Sequence, residues 1–366
     1  MASVELRNVW KKYGEVIAVE DVSWKCDDGE FFSILGPSGC GKSSTLRMIA
    51  GLEEITGGEI YFDDRCVNAL PPRDRNVAMV FETWALYPNL SVYENIAFPL
   101  RVRSVPDAEV DRKVRWAASF LHLTDILPSG VRGLSGGQKQ RVSIGRAIVR
   151  EPAVLIMDEP ISHLDAGLRA SMREELESQA RSLGVTTLYI THDQVESMAM
   201  ADRIAVMNFG KIQQIGTPKE IYQSPRNEFV AGFIGEPPMN FAECELIREG
   251  DQFYLVSPSF RISLGDPFSQ RLAAYQGAPR VKLGIRPEDL GVAQPGQEDA
   301  VKTTVEFVEP QGDRTILSVN LEGGETFLVE VPADVRPEVA QPVRLQLDLR
   351  HLHIFEAQTG LNLFYQ

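Results

Sequence analysis

The eight residues Gly36-Pro37-Ser38-Gly39-Cys40-Gly41-Lys42-Ser43 constrain this chain more than any other segment. They follow a short apolar run, Phe31-Phe32-Ser33-Ile34-Leu35. They precede a stretch with Leu46, Ile49 and Ala50 on one helical face. Strand, glycine-rich turn and helix in that order are the context that the pattern G-x-x-x-x-G-K-[ST] requires. Glycines let backbone N–H groups turn inward around phosphate oxygens, and the helix start adds the positive end of its dipole. Lys42 supplies a point charge to the phosphates, and the Ser43 hydroxyl is a Mg²⁺ ligand. Ser44 continues the same turn. The loop indicates a phosphate-binding nucleotide site, for which kinases and GTPases would qualify equally.

Two further apolar blocks, Ala153–Met157 and Thr186–Ile190, end in acidic or histidine-bearing loops and then helical sequence. Near-continuous runs of this kind suit a parallel sheet buried on both faces. The first delivers Asp158 and Glu159 to its C-terminal end, where ligands of open α/β sheets collect. Asp158 can hold Mg²⁺ through water, and Glu159 can polarise an attacking water as general base. The competing reading is a helix cap, which the following Pro160 makes tempting.

Around this core the texture varies. Over residues 1–30, Val4 and Leu6, then Val22, Trp24 and Cys26, alternate with polar neighbours, and Asp27-Asp28-Gly29 marks a turn, so antiparallel strands are expected. From about 88 to 150 a helical insertion is expected. Ser91 and Glu94 have capping-box spacing, Pro106 sits where a first helical turn tolerates proline, and Val110, Val114, Ala117 and Leu121 recur at helical spacing. After Ile234-Gly-Glu-Pro-Pro-Met-Asn240 the chain changes to short alternating runs with a hairpin loop at Glu322–Glu325. The expectation is two domains, 1–235 and 236–366, the second a small all-β barrel.

Composition sets outer bounds. At 366 residues the chain is too long for one typical domain. No apolar stretch approaches the ~18 residues of a bilayer span, and the first residues lack the basic-then-apolar pattern of a secretory signal. A cytoplasmic location is expected, with membrane contact through a partner. Cys26, Cys40, Cys66 and Cys244 have no paired or metal-type spacing, so free thiols are expected. A net charge of −14 argues against nucleic acid as a general partner.

The string Leu134-Ser135-Gly136-Gly137-Gln138-Lys139-Gln140-Arg141 narrows the class. Here the sequence resembles the ATP-binding-cassette (ABC) family, whose signature is this LSGGQ string. The resemblance implies an α/β P-loop NTPase core with an antiparallel β subdomain and helical insertion, followed by a small all-β, OB-like, TOBE-type C-terminal domain. It implies an ATPase using ATP and Mg²⁺. Ser135, Gly136, Gly137 and Gln138 would grip the γ-phosphate of an ATP held by the Lys42 loop of a second cassette, in a homodimer or heterodimer. Tyr13 resembles the aromatic that stacks on adenine, Ser162-His163-Leu164-Asp165 the interface-crossing D-loop, and His192 the switch histidine contacting the γ-phosphate.

One position departs from the family. Glutamine is usual in the loop joining core and helical insertion, and here Met79-Val-Phe-Glu82-Thr-Trp-Ala-Leu-Tyr87 carries Glu82. A hard cation accepts a charged carboxylate as well as an amide carbonyl, so Glu82 stays a candidate Mg²⁺ ligand. The stretch Trp84–Leu100, rich in aromatic and apolar residues, is helical core or, by the resemblance, part of a groove for a permease helix. Phe233–Phe241 and Leu283–Asp289 look like the linker and accessory domain of maltose- and glycerol-phosphate-type importer ATPases. That likeness implies a peripheral subunit at the cytoplasmic face of the inner membrane, serving two permeases and, indirectly, a periplasmic or extracellular solute-binding protein. An exporter ATPase, a soluble ABC ATPase of translation or DNA repair, and an interaction module with a dead nucleotide site are the alternatives.

Overall fold

The computed structural model describes residues 2–273, 275–293 and 300–365. The chain divides into two compact units, Met1–Pro218 and Lys219–Gln366.

The first unit holds two sheets. Strands β1 (Val4–Tyr13), β2 (Val16–Cys26), β4 (Gly57–Phe62) and β5 (Arg65–Cys66) form an antiparallel sheet in the order β2-β1-β4-β5. The other sheet contains β3 (Phe31–Leu35), β6 (Val77–Val80), β7 (Val154–Asp158), β8 (Thr186–Thr191), β9 (Arg203–Asn208) and β10 (Lys211–Gly216). Its order is β10-β9-β3-β8-β7-β6, parallel from β9 to β6 with β10 antiparallel at one edge. Every residue of β3 and β8 is buried, as strands covered on both faces require.

Helices α1 (Lys42–Ala50), α5 (Ala166–Leu183) and α6 (Gln194–Met200) follow β3, β7 and β8. Between β6 and β7 lie α2 (Val92–Val102), α3 (Asp107–Phe120) and α4 (Gly136–Ile148), the expected helical insertion. Val110, Val114, Ala117 and Leu121 are all buried. Ser91 caps α2 through Glu94 N at 3.1 Å, but the Glu94 carboxylate turns to Arg101 instead of closing the box. Pro106 stands at the cap of α3, one residue before its first turn.

The second unit begins within α7 (Pro218–Gln223), passes through α8 (Glu228–Phe233) and continues as antiparallel sheet. One five-stranded sheet comprises β11 (Asn240–Glu249), β12 (Gln252–Val256), β13 (Arg261–Leu264), β14 (Arg280–Ile285) and β20 (His353–Glu356), in the order β13-β12-β11-β14-β20. The other comprises β15 (Leu290–Val292), β16 (Val301–Pro310), β17 (Arg314–Leu321), β18 (Thr326–Pro332) and β19 (Pro342–Leu347), in the order β15-β19-β16-β17-β18. Leu255, Leu283, Ile285, Leu317, Val319 and Val329 from both sheets share one buried core. A seven-residue helix, α9 (Asp266–Leu272), bridges β13 and β14. The hairpin expected at Glu322–Glu325 joins β17 to β18.

Candidate functional site

The phosphate loop is built by close backbone approach. A Cβ on Gly36 would stand 2.2 Å from the Met207 carbonyl oxygen. One on Gly41, at φ 108°, would stand 2.4 Å from the Ala18 oxygen, so neither position admits a side chain. The loop ends at the cap of α1, whose first turn has no side-chain cap, and such amides suit an anion. Lys42 is buried, and its Nζ donates to the carbonyls of Gly36 (2.8 Å) and Pro37 (2.9 Å). Cys40 is buried 3.9 Å from that ammonium, and burial pushes its thiol pKa up. Tyr13 lies beside the loop. Its hydroxyl is 3.3 Å from Ser44 Oγ and donates to the Glu53 carboxylate, and Lys11 Nζ stands 4.8 Å over the ring.

The carboxylates sit at the C-terminal edge of the parallel sheet. Asp158 ends β7, and Ser43 Oγ donates to its Oδ1 at 3.4 Å. Burial raises the Asp158 pKa, and so do the charges of Glu159 and Glu82, with Arg47 opposing them. The ionised form of Asp158 is therefore disfavoured in the fold, a cost that disappears as pH falls and that a bound cation would also relieve.

Glu159 occupies the left-handed region at φ 45°, unusual for a residue with a side chain. Its N–H donates to Ile190 O at 2.9 Å, and its carbonyl accepts from Ser162 Oγ at 3.0 Å. The turn is thus pinned from both sides, as strained functional positions need to be. Glu159 Oε2 lies 2.9 Å from Nδ1 of His192, which follows β8 directly. The helix-cap reading of the acidic pair fails. Helix α5 is capped by Asp165, whose Oδ1 accepts from Leu168 N at 3.0 Å.

The signature string makes its own anion-facing start. Ser135 caps α4, accepting from Gln138 N (3.3 Å) while its own N–H donates to Gln138 Oε1 (3.0 Å), a full capping box. Among the described residues, no hydrogen bond or ion pair joins 36–43 to 134–138. The two glycine-rich helix starts are therefore not bonded to one another among the described residues.

Between them runs the segment bearing Glu82, whose Oε1 is 3.4 Å from Nε2 of His163, both side chains half-exposed. Trp84 and Ala85 follow with positive φ (59° and 47°). Their carbonyls are fixed by α4: Ser143 Oγ and Arg146 donate to Trp84 O (3.0 and 2.9 Å), and Arg146 donates to Ala85 O (2.6 Å). Sequence reading placed His163 only within the interface-crossing 162–165 string and assigned no role to Ser143 or Arg146. The histidine stood inside the 162–165 string, but nothing in linear order signals that it meets Glu82.

For Mg²⁺ the donors available are oxygens, the Ser43 hydroxyl and the carboxylates of Asp158 and Glu82, as a hard cation prefers. Among the described residues, no three His, Cys, Asp or Glu side chains converge into a ready metal cage. The donor set fits Mg²⁺, which dedicated protein cages rarely hold and which shares its shell with water and substrate phosphates. No helix among the described residues is long and apolar enough to cross a membrane.

Comparison with known proteins gives three family matches: ABC transporter over residues 19–162, MalK OB fold domain over 235–290 and TOBE domain over 283–355. The chain is 49% identical to a trehalose/maltose import ATP-binding protein of Thermococcus litoralis, covering all of both chains. It is 44% identical to an sn-glycerol-3-phosphate import ATP-binding protein of Rhizobium johnstonii, covering 98% of this chain and 96% of the relative. A xylose/arabinose import ATP-binding protein of Haloferax volcanii is also 44% identical, with 98% and 95% covered. Among solved structures, the ATP-binding cassette MJ0796, a dimer in a post-hydrolysis state bound to ADP and Pi, matches with TM-score 0.53 at 30% identity. That match covers 59% of this chain and 98% of the other.

Proposed function

The chain belongs to the ABC transporter family, as an import-type ATPase, and from that premise we propose how its residues work and what they drive. The solute is a carbohydrate, a polyol or glycerol phosphate, a reading supported by the printed functions of its relatives. The hydrolytic centre is Glu159 with His192. The observation that carries this is their 2.9 Å contact at the sheet edge, in a turn strained at Glu159 and pinned by Ile190 and Ser162. Glu159 takes a proton from the attacking water, and His192 holds the carboxylate and faces the γ-phosphate. Lys42 and the loop amides bind the phosphates, and Tyr13 stacks on adenine. Ser43, Asp158 and Glu82 would hold Mg²⁺, which would neutralise phosphate charge. Catalysis is positioning and charge stabilisation, and no covalent enzyme intermediate is needed.

Two chains complete the site. The separation of the Lys42 loop from the Ser135 cap supports a head-to-tail pair in which each ATP is clamped between one chain's loop and the other's signature, with Asp165 at the shared face. The reading extends to two permease subunits, a peripheral position at the cytoplasmic membrane face and a solute-binding protein beyond the permeases. Supporting the permease contact is a cavity of about 630 Å³ lined by Phe81, Tyr87, Phe98 and Val102 with Arg103 and Arg150. Burial pushes Arg150 down to about 10, and its Nε and one terminal nitrogen are buried without a partner. A carboxylate on a docking helix would satisfy them.

The test is Glu159→Gln. Steady-state ATP hydrolysis is expected to fall about 10²–10⁴-fold, while ATP binding persists and the chain is trapped as an ATP-bound dimer in size-exclusion chromatography. Rapid hydrolysis by this variant would move the general base elsewhere.

A further inference from the structure

Each acidic residue that joins Asp158 at the sheet edge has a histidine against it. Glu159 has His192 at 2.9 Å, and Glu82 has His163 at 3.4 Å. The first pair sits within the hydrolytic centre. The second joins two segments with different attachments. Glu82 lies on the stretch whose next carbonyls are held by Ser143 and Arg146 of α4. His163 lies between Ser162, bonded to the Glu159 carbonyl, and Leu164, whose side chain packs where a Cβ on Gly136 would stand 2.8 Å away. The Trp84 ring meets the His163 ring edge-on at 6.4 Å between centroids. His163 is thereby held on one side by the hydrolytic turn and on the other by the start of the signature helix.

We propose that His163 is a positioning residue that competes with Mg²⁺ for the Glu82 carboxylate, so that the 162–165 segment sets how readily Glu82 serves the metal. The proposal rests on the reading of Glu82 as a magnesium ligand. A carboxylate oxygen engaged by imidazole is less available to a cation, and both side chains are half-exposed, so the competition is modest and adjustable. An amide at position 82 would lack the charge that attracts either partner strongly. The histidine therefore has a purpose only while position 82 is a carboxylate, and this gives the proposal its signature.

The experiment uses the full-length chain and a fluorescent, non-hydrolysable ATP analogue, titrated with Mg²⁺, reading the half-saturating Mg²⁺ concentration for nucleotide binding. Glu82→Gln is expected to raise that concentration. His163→Gln is expected to lower it about two- to fivefold, the range an exposed ion pair can supply. The double variant is expected to match Glu82→Gln alone, because without the carboxylate the histidine has nothing to withhold. If Glu82→Gln shifts the titration and His163→Gln does not, or if His163→Gln acts equally in both backgrounds, the proposal is overturned and the metal role of Glu82 stands. If wild type and Glu82→Gln titrate identically, the metal role and the proposal fall together. Thermal midpoints without nucleotide, expected to be alike for wild type and His163→Gln, exclude a general loss of structure as the source of any shift.

Discussion

The two units of this chain spend backbone strain differently. Among the described non-glycine residues, Asn8, Asp21, Asp63, Asn76, Trp84, Ala85, Ser104, His122, Glu151, Glu159 and Phe209 have positive φ in the first unit, and Ala340 alone does so in the second. Asn and Asp tolerate this region through local hydrogen bonding, but Trp84, Ala85 and Glu159 have no such excuse. Those three lie on the candidate site, each with a backbone group held by a neighbouring element. The second unit, by contrast, is regular antiparallel sheet around an apolar core. Strain is concentrated where groups must be aimed, and the accessory sheets are free to follow ordinary β rules.

Four outcomes would break or sharpen that contrast. The largest concerns the second unit. His353 is half-buried, and desolvation, then the charges of Arg286 and His351, push its pKa from 6.5 down to about 4. Protonation is therefore easier in the unfolded chain, so stability is full above about pH 6.5 and is lost as pH falls toward 4. The loss is expected to be on the order of 3 kcal/mol, and His353→Phe should flatten it in denaturant melts across that range.

Next comes Gly41→Ala. Its Cβ would meet the Ala18 oxygen, so nucleotide affinity is expected to fall about 10- to 100-fold, read by equilibrium binding. The matched change in the second unit is Gly250→Ala, at φ 62° in the β11–β12 turn with open space around it. About 1 kcal/mol of stability should be lost there, with ATPase activity unchanged. Equal effects of the two glycine variants on nucleotide binding would erase the contrast. The smallest effect is a gain. Asp158→Asn removes a carboxylate whose ionised form the fold disfavours, so at neutral pH without nucleotide and Mg²⁺ the thermal midpoint should rise. The expected gain is under about 1 kcal/mol after allowance for partial exposure, while hydrolysis is lost.

Much of this was legible in linear order because local rules decided it. The 36–43 pattern, the apolar blocks ending at Asp158 and Thr191, and the Ser135–Gln138 spacing each depend on neighbours within a few residues. In the second unit alternation announced strands, but not the orders β13-β12-β11-β14-β20 and β15-β19-β16-β17-β18, because pairing partners are chosen by registers spread over the whole unit. At the site, Glu82 was visible as a departure, whereas its contact with His163 was not, since it depends on how two loops leave adjacent strands β6 and β7. The strain at Glu159 was also hidden, because a glutamate carries no sequence mark for a left-handed turn.

Helix α4 has a consequence of its own. Its thirteen residues make a rod about 20 Å long, capped at one end by Ser135 and gripping the Trp84 and Ala85 carbonyls near the other through Ser143 and Arg146. Because the cap closes on the helix itself while Ser143 and Arg146 bond it to the loop carrying Glu82, the firm attachment of α4 lies near its C-terminal end. Any reorientation of that rod must carry the Trp84 and Ala85 carbonyls with it or break the Arg146 bonds.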